Sequence, residues 1–103
     1  MKTSEALRKA RNKIANPRHW TQYVLARGKA GELVQPESDK AVCWCAVGAV
    51  RSVAAGRSRS MCLYYLELMV PFREVALYND SRTHNDVMNM FNNAIEEAQN
   101  DGD

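Results

Sequence analysis

Proline, glycine, cysteine and histidine are all scarce here: three, five, three and two residues in a chain of 103. So little glycine and proline, with no internal repeat, excludes collagen-like, solenoid and low-complexity architectures. Cysteine is odd in number, and Cys43, Cys45 and Cys62 are flanked by core-type residues. That argues for reduced, buried thiols and against a disulfide scaffold. No apolar run approaches the ~20 residues that span a bilayer. The opening Met1-Lys2-Thr3-Ser4-Glu5 lacks the apolar stretch of a signal peptide, so the expected setting is the cytoplasm, away from membranes. No segment has the spacing of a nucleotide loop, a metal knuckle or a nucleophile elbow.

Acid is nearly missing from the first third. Residues 1–29 hold Lys2, Arg8, Lys9, Arg11, Lys13, Arg18, Arg27 and Lys29 against Glu5 alone, whereas residues 74–103 hold seven acids against Arg82 alone. The net charge of +2 hides this polarity. Such halves attract each other within the fold, pair head to tail between copies as a homodimer, or offer a basic face to an acidic partner. With 46% apolar residues the chain supports one domain, 1–103, burying roughly 60 to 70% of its extended surface.

Leu7, Ala10 and Ile14, with Ala6 beside them, recur at helical spacing and predict a first helix over 3–16. Ser4 is its expected cap, and Asn16-Pro17 its stop. Arg8, Lys9, Arg11 and Lys13 fall on the other face. Residues 20–26 and 32–34, rich in aromatic and β-branched side chains around a glycine-bearing turn, predict a β-hairpin. A second, central helix is expected from Ser38 or Asp39 to Ala54. Its stripe of Val42, Cys45, Ala46, Ala49, Val50 and Val53 would pack on the last helix, and Gly48 would mark a close backbone approach. Gly56–Arg59 reads as a mobile link, residues 60–70 as a third helix, and 72–78 as ambiguous, with 75–78 buried either way. Thr83 and Asp86 form an aspartate variant of the capping box for a last helix, buried through Val87, Met90, Phe91, Ala94, Ile95 and Ala98. Residues 99–103 should fray.

The run Ala41-Val42-Cys43-Trp44-Cys45-Ala46-Val47-Gly48-Ala49, followed by Asn79-Asp80, Thr83 and Asp86-Val87, with Trp20-Thr21-Gln22 upstream, resembles a family of small uncharacterised bacterial and bacteriophage proteins common in actinobacteria. The resemblance spans nearly the whole chain. It departs at Tyr78, where members carry tryptophan, and at Ser81-Arg82, where members carry a longer Pro-Gly linker. It implies a shared fold and no reaction.

Cys43 and Cys45 invite a metal reading with Cys62, His19 or His84, but two residues apart on a helix they project about 200° apart. Cys43 with His84 and Asn79 or Asp80 has the composition of a cysteine-hydrolase site. Each of these residue types also has an ordinary role: cysteine as a small hydrophobe, Asn79-Asp80 as a turn former entering the last helix. Trp44 is expected to anchor the core. The reading is therefore a mainly α (α+β) fold, about four helices packed as a small bundle with one β-hairpin, without cofactor or metal. Its expected role is non-enzymatic: a phage or mobile-element accessory protein that binds and modulates a host or phage protein. Arg8, Lys9, Arg11, Lys13, Arg51, Arg57, Asn79, Asp80 and Arg82 are the candidate binding residues. Nucleic-acid binding through the basic first helix is the alternative, and a cysteine-dependent enzyme the second.

Overall fold

In the computed structural model, which describes residues 1–103, the elements run α1 (Thr3–Lys13), a 3₁₀ turn (Pro17–His19), β1 (Ala26–Gly28), β2 (Ala41–Trp44), α2 (Ala46–Val53), α3 (Gly56–Leu68), a second 3₁₀ turn (Pro71–Arg73), α4 (Val75–Ser81) and α5 (His84–Asn100). The chain is mainly α with one small antiparallel ribbon, as the periodicity predicts. There are five helices rather than about four, because the ambiguous 72–78 stretch resolves into a turn and the start of α4.

The two outer helices follow their sequence signals. Ala6, Leu7, Ala10 and Ile14 bury one side of α1. On α5, Val87, Met90, Phe91, Ala94, Ile95 and Ala98 are all buried, and Thr83 caps the helix. The Thr83 Oγ1 accepts from the Asp86 N–H at 3.1 Å, while the Asp86 carboxylate accepts from the Thr83 N–H at 3.3 Å. Each satisfies a group that a helix start otherwise leaves orphaned.

Position in the core departs from expectation. α1 is the helix that packs against α5, α2 and α3 at once, so the centre is α1 and not the 39–54 segment. Its small Ala6 and Ala10 let two neighbours close in. Ser4 does not cap α1. Lys2 takes that position without a side-chain bond, and the Ser4 N–H donates to the Asp103 carbonyl at 3.0 Å. Thr3 Oγ1 donates to the Asp103 carboxylate at 3.0 Å, and the Tyr65 hydroxyl to that of Asp101 at 2.8 Å. Residues 101 and 103 are thus held rather than frayed, since the tail supplies acceptors to the start of α1.

The ribbon is also corrected. Ala26–Gly28 pairs with Ala41–Trp44, in the register Ala26↔Trp44, Arg27↔Cys43 and Gly28↔Ala41, with an irregularity before Gly28. The anticipated strand over 20–26 is not formed. The anticipated turn survives as a single Arg27↔Leu33 bridge, with the Gly28 N–H donating to the Glu32 carbonyl at 2.9 Å. Residues 41–44 are consequently extended and α2 begins only at Ala46; Val42 is exposed and Val53 half-buried. Gly48 does mark a close approach: a Cβ there would overlap the Leu25 carbonyl oxygen. Gly56–Arg59, expected to be mobile, forms the first turn of α3. Of residues 75–78 only Val75 is buried, because the short α4 lies on the surface with Ala76 and Leu77 outward.

Candidate functional site

Asn79 is the most completely satisfied polar side chain in the protein. It sits on α4 with no solvent exposure, and its Oδ1 accepts from the Trp20 indole N–H at 2.8 Å and the Ala46 N–H at 3.0 Å. Its Nδ2 donates to the Thr21 carbonyl and to the Asp80 carboxylate, both at 3.1 Å. Two acceptor sites and two donor hydrogens are the whole capacity of a carboxamide. The neighbouring residues extend the junction. Asp80 Oδ1 accepts from the Tyr23 N–H at 2.8 Å, and the two Nε2 hydrogens of Gln22 are shared among the carbonyls of Asn79, Asp80 and Arg82 at 3.0 to 3.2 Å. The Asn79-Asp80 pair therefore does not turn the chain into α5. It ties the irregular 20–25 segment and the first N–H of α2 to α4.

The other chemistry-bearing side chains are engaged in the same way. Cys45 is the N-cap of α2, its sulfur accepting from the Gly48 N–H at 3.3 Å. Burial, reinforced by Asp80, pushes its thiol above the ordinary cysteine value, which holds it as the poorly nucleophilic thiol. Cys62 is likewise pushed up to about 11 by burial and then by Asp103. Cys43, half-exposed, points its sulfur at the Arg27 carbonyl at 4.0 Å. His84 Nε2 lies 2.6 Å from the Ile14 carbonyl, and since a carbonyl only accepts, that nitrogen carries the proton. The ring also meets Trp20 edge to face, with centroids 5.5 Å apart. Cys43 and His84 are thus oriented onto separate backbone carbonyls. No three His, Cys, Asp or Glu side chains gather in a metal-holding geometry. Trp44 is buried and donates its indole N–H to the Pro36 carbonyl at 3.0 Å.

A family of unknown function, DUF6197, matches residues 1–97. The chain belongs to this family. No curated protein and no protein of solved structure shows a significant match. In this DUF6197 member the Trp20-Thr21-Gln22, Trp44-Cys45-Ala46 and Asn79-Asp80 segments, far apart in sequence, meet at one junction whose hydrogen bonds are spent on the fold.

The cationic candidates do not form one patch. Arg11 reaches across to Asn92 on α5 at 2.9 Å, whereas Lys13 lies over the Trp44 ring, 4.4 Å from its centroid. Lys9 faces solvent between them, and Arg8 shares the flank of Arg11. Arg51 pairs with Glu37 at 3.4 Å, and Arg59 approaches the same carboxylate at 3.7 Å. Arg57, at the start of α3, lines a separate recess with Met1, Thr3 and Asp103. Arg82 stacks its guanidinium on Tyr78, 4.9 Å from the ring centroid. Attraction between the basic and acidic halves takes no ion-pair form within the fold: the two contacts to Glu37 are the only ion pairs, and Asp86, Glu96 and Glu97 make none.

One surface escaped sequence reasoning. Phe72 is 90% exposed and Leu77 58% exposed. Phe72 and Arg73 both hold left-handed backbone angles, φ 57° and φ 59°, which cost a non-glycine residue ~1 to 3 kcal/mol each. Beside them an open groove of about 460 Å³ runs over Val47, Leu63, Val75, Ala76 and Leu77. The signal available in the sequence was an aromatic residue held between Pro71 and Arg73, where a helix stop calls for polar residues.

Proposed function

We propose that this protein acts by binding a partner protein through the α1 flank that carries Arg8 and Arg11, and that it carries no reaction of its own. The carrying observation is that the α1 cations have no carboxylate partner within the chain, although twelve acids are present. An acidic surface on another protein is the complement such a flank calls for. The groups that could serve a reaction are drawn into the fold: Cys45 caps α2, His84 holds Ile14, and Asn79 has no free donor or acceptor.

Protein is favoured over nucleic acid by what lies next to the flank. Arg11 meets Asn92, and Ser4 meets Asp103, so α1 and α5 run antiparallel. One helical turn beyond Asn92 comes Glu96, exposed and at the level that the antiparallel register gives Arg8, though not paired with it. A phosphate backbone following Arg8 and Arg11 would meet that carboxylate, whereas a protein surface of mixed charge accommodates it. The partner we assign is a host or phage protein in the bacterial cytoplasm, met in the role of a phage or mobile-element accessory protein. The resemblance to small bacterial and phage proteins supports that setting.

Affinity capture from a bacterial lysate, read by mass spectrometry, tests the proposal. A partner retained by the wild type and by Cys43→Ser, and lost on Arg8→Glu with Arg11→Glu, is the expected result. Capture indifferent to that charge reversal would overturn it. So would submicromolar, length-dependent nucleic-acid binding that weakens with salt at a slope of about −0.9 per duplex phosphate neutralised.

A further inference from the structure

The second surface, around Phe72, points to a different occupant. Phe72 is a knob: an aromatic ring 90% exposed at the tip of a turn held in left-handed geometry. The groove over Val47, Leu63, Val75 and Leu77 is the hole, and it lies next to the knob, since Glu74 and Leu77 line both the groove and the recess that contains Phe72. The ring does not fold back into this groove. Burial of the ring within the chain therefore does not offset the cost of the strained turn.

The charges around it are mixed. Arg73, next in sequence to the knob, lines the groove together with Glu67 and Glu74, and none of the three makes an ion pair within the chain. A single basic or acidic partner would satisfy one sign and bury the other. A surface that carries a knob and a hole, a cation and two carboxylates, holds both members of each complementary pair, which is what an isologous interface requires.

From this we infer that the Phe72 face is a self-association site, at which two copies of the chain pair by inserting each Phe72 into the groove of the other, with Arg73 of one set against Glu67 and Glu74 of its partner. This surface is separate from the α1 flank and stands whether or not that flank binds a partner protein.

Sedimentation equilibrium decides it. The wild type should move from the monomer mass of 11.6 kDa to twice that value as concentration rises to about 1 mM. Phe72→Ser should weaken the dimer at least about tenfold, and because Phe72 is exposed the variant should keep the wild-type melting temperature. Arg73→Glu alone, and Glu67→Arg with Glu74→Arg alone, should each weaken self-association by placing like charges opposite one another. Mixed in equal amounts, these two charge variants should regain a dimer, since every contact then meets its opposite. A Arg8→Glu, Arg11→Glu control should dimerise as the wild type does. A chain that stays monomeric throughout, a dimer unaffected by Phe72→Ser, open-ended assemblies, or a mixture no tighter than its components would each overturn the inference.

Discussion

Replacing Asn79 by alanine should be the most damaging single polar-to-alanine change in this protein. The substitution removes four hydrogen bonds, but the loss is set by the groups left behind. The Ala46 N–H is buried at the start of α2 and loses its only acceptor, at about 2 kcal/mol. The Trp20 indole N–H and the Thr21 carbonyl are part-buried and lose about 1 kcal/mol each. Asp80 keeps its bond from Tyr23 and adds little. The sum is about 4 kcal/mol, a large fraction of the 5 to 15 kcal/mol typical of a domain. In urea, with a slope of about 2 kcal/mol/M, the midpoint should fall by ~2 M. Asn79→Leu, similar in size and unable to admit a bridging water, should cost at least as much. Asn79→Asp keeps both acceptor bonds but sets a buried carboxylate against Asp80. Its folded-state pKa is therefore raised, and its stability should recover as the pH falls through that value towards the unfolded carboxyl near ~4. In the folded alanine variant the Trp20 indole proton should exchange faster with solvent. A loss under about 1 kcal/mol in both the alanine and leucine variants would refute the assignment of Asn79 as the junction.

Gly48→Ala drives a Cβ into the Leu25 carbonyl, which belongs to backbone rather than to a flexible side chain, so a loss of about 3 kcal/mol or failure to fold is expected, seen as a lowered melting temperature. Thiol titration of the native protein should modify Cys43 first, with Cys45 and Cys62 reacting only on unfolding and three thiols counted in denaturant. The Tyr65 hydroxyl, held by Asp101, is pushed up to about 12 from an ordinary value of 10.0. The stability it contributes is whole below pH 10 and lost as the pH rises towards 12; ultraviolet titration should show Asp101→Asn returning its ionisation towards the ordinary value.

What could be read from sequence was what is encoded locally. The capping pair Thr83 and Asp86 and the 3.6-residue spacing from Val87 to Ala98 define α5 within eighteen residues, and α1 is equally self-contained. The ribbon was misassigned because its pairing joins Ala26 to Trp44 across a long connection. Ala41–Trp44 carries small and aromatic residues that suit a helix face as well as a strand, so periodicity could not choose. Asn79-Asp80 has the local grammar of a turn, whereas its actual partners, Trp20, Thr21, Tyr23 and Ala46, lie more than thirty residues upstream. Phe72 lay at the edge of the ambiguous 72–78 stretch, and local periodicity does not encode the left-handed turn after Pro71 that leaves its ring exposed.

The junction also answers a question of backbone accounting. Between the end of α1 and the start of α2 the chain runs some thirty residues with only a 3₁₀ turn and two short strands, so most of its N–H and C=O groups have no regular partner. A buried backbone group without a partner costs as much as a lost hydrogen bond, and a ribbon this short is not stable alone. Side chains with several hydrogen-bonding positions in one plane meet that need. Asn79 serves Thr21 and Ala46, Gln22 serves three carbonyls around α4, Asp80 takes the N–H of the left-handed Tyr23, and Trp44 takes the Pro36 carbonyl. The segments that most distinguish this sequence are therefore those that replace a missing sheet. The α1 flank and the Phe72 turn lie outside that junction, so either can change chemistry without loosening what holds the fold.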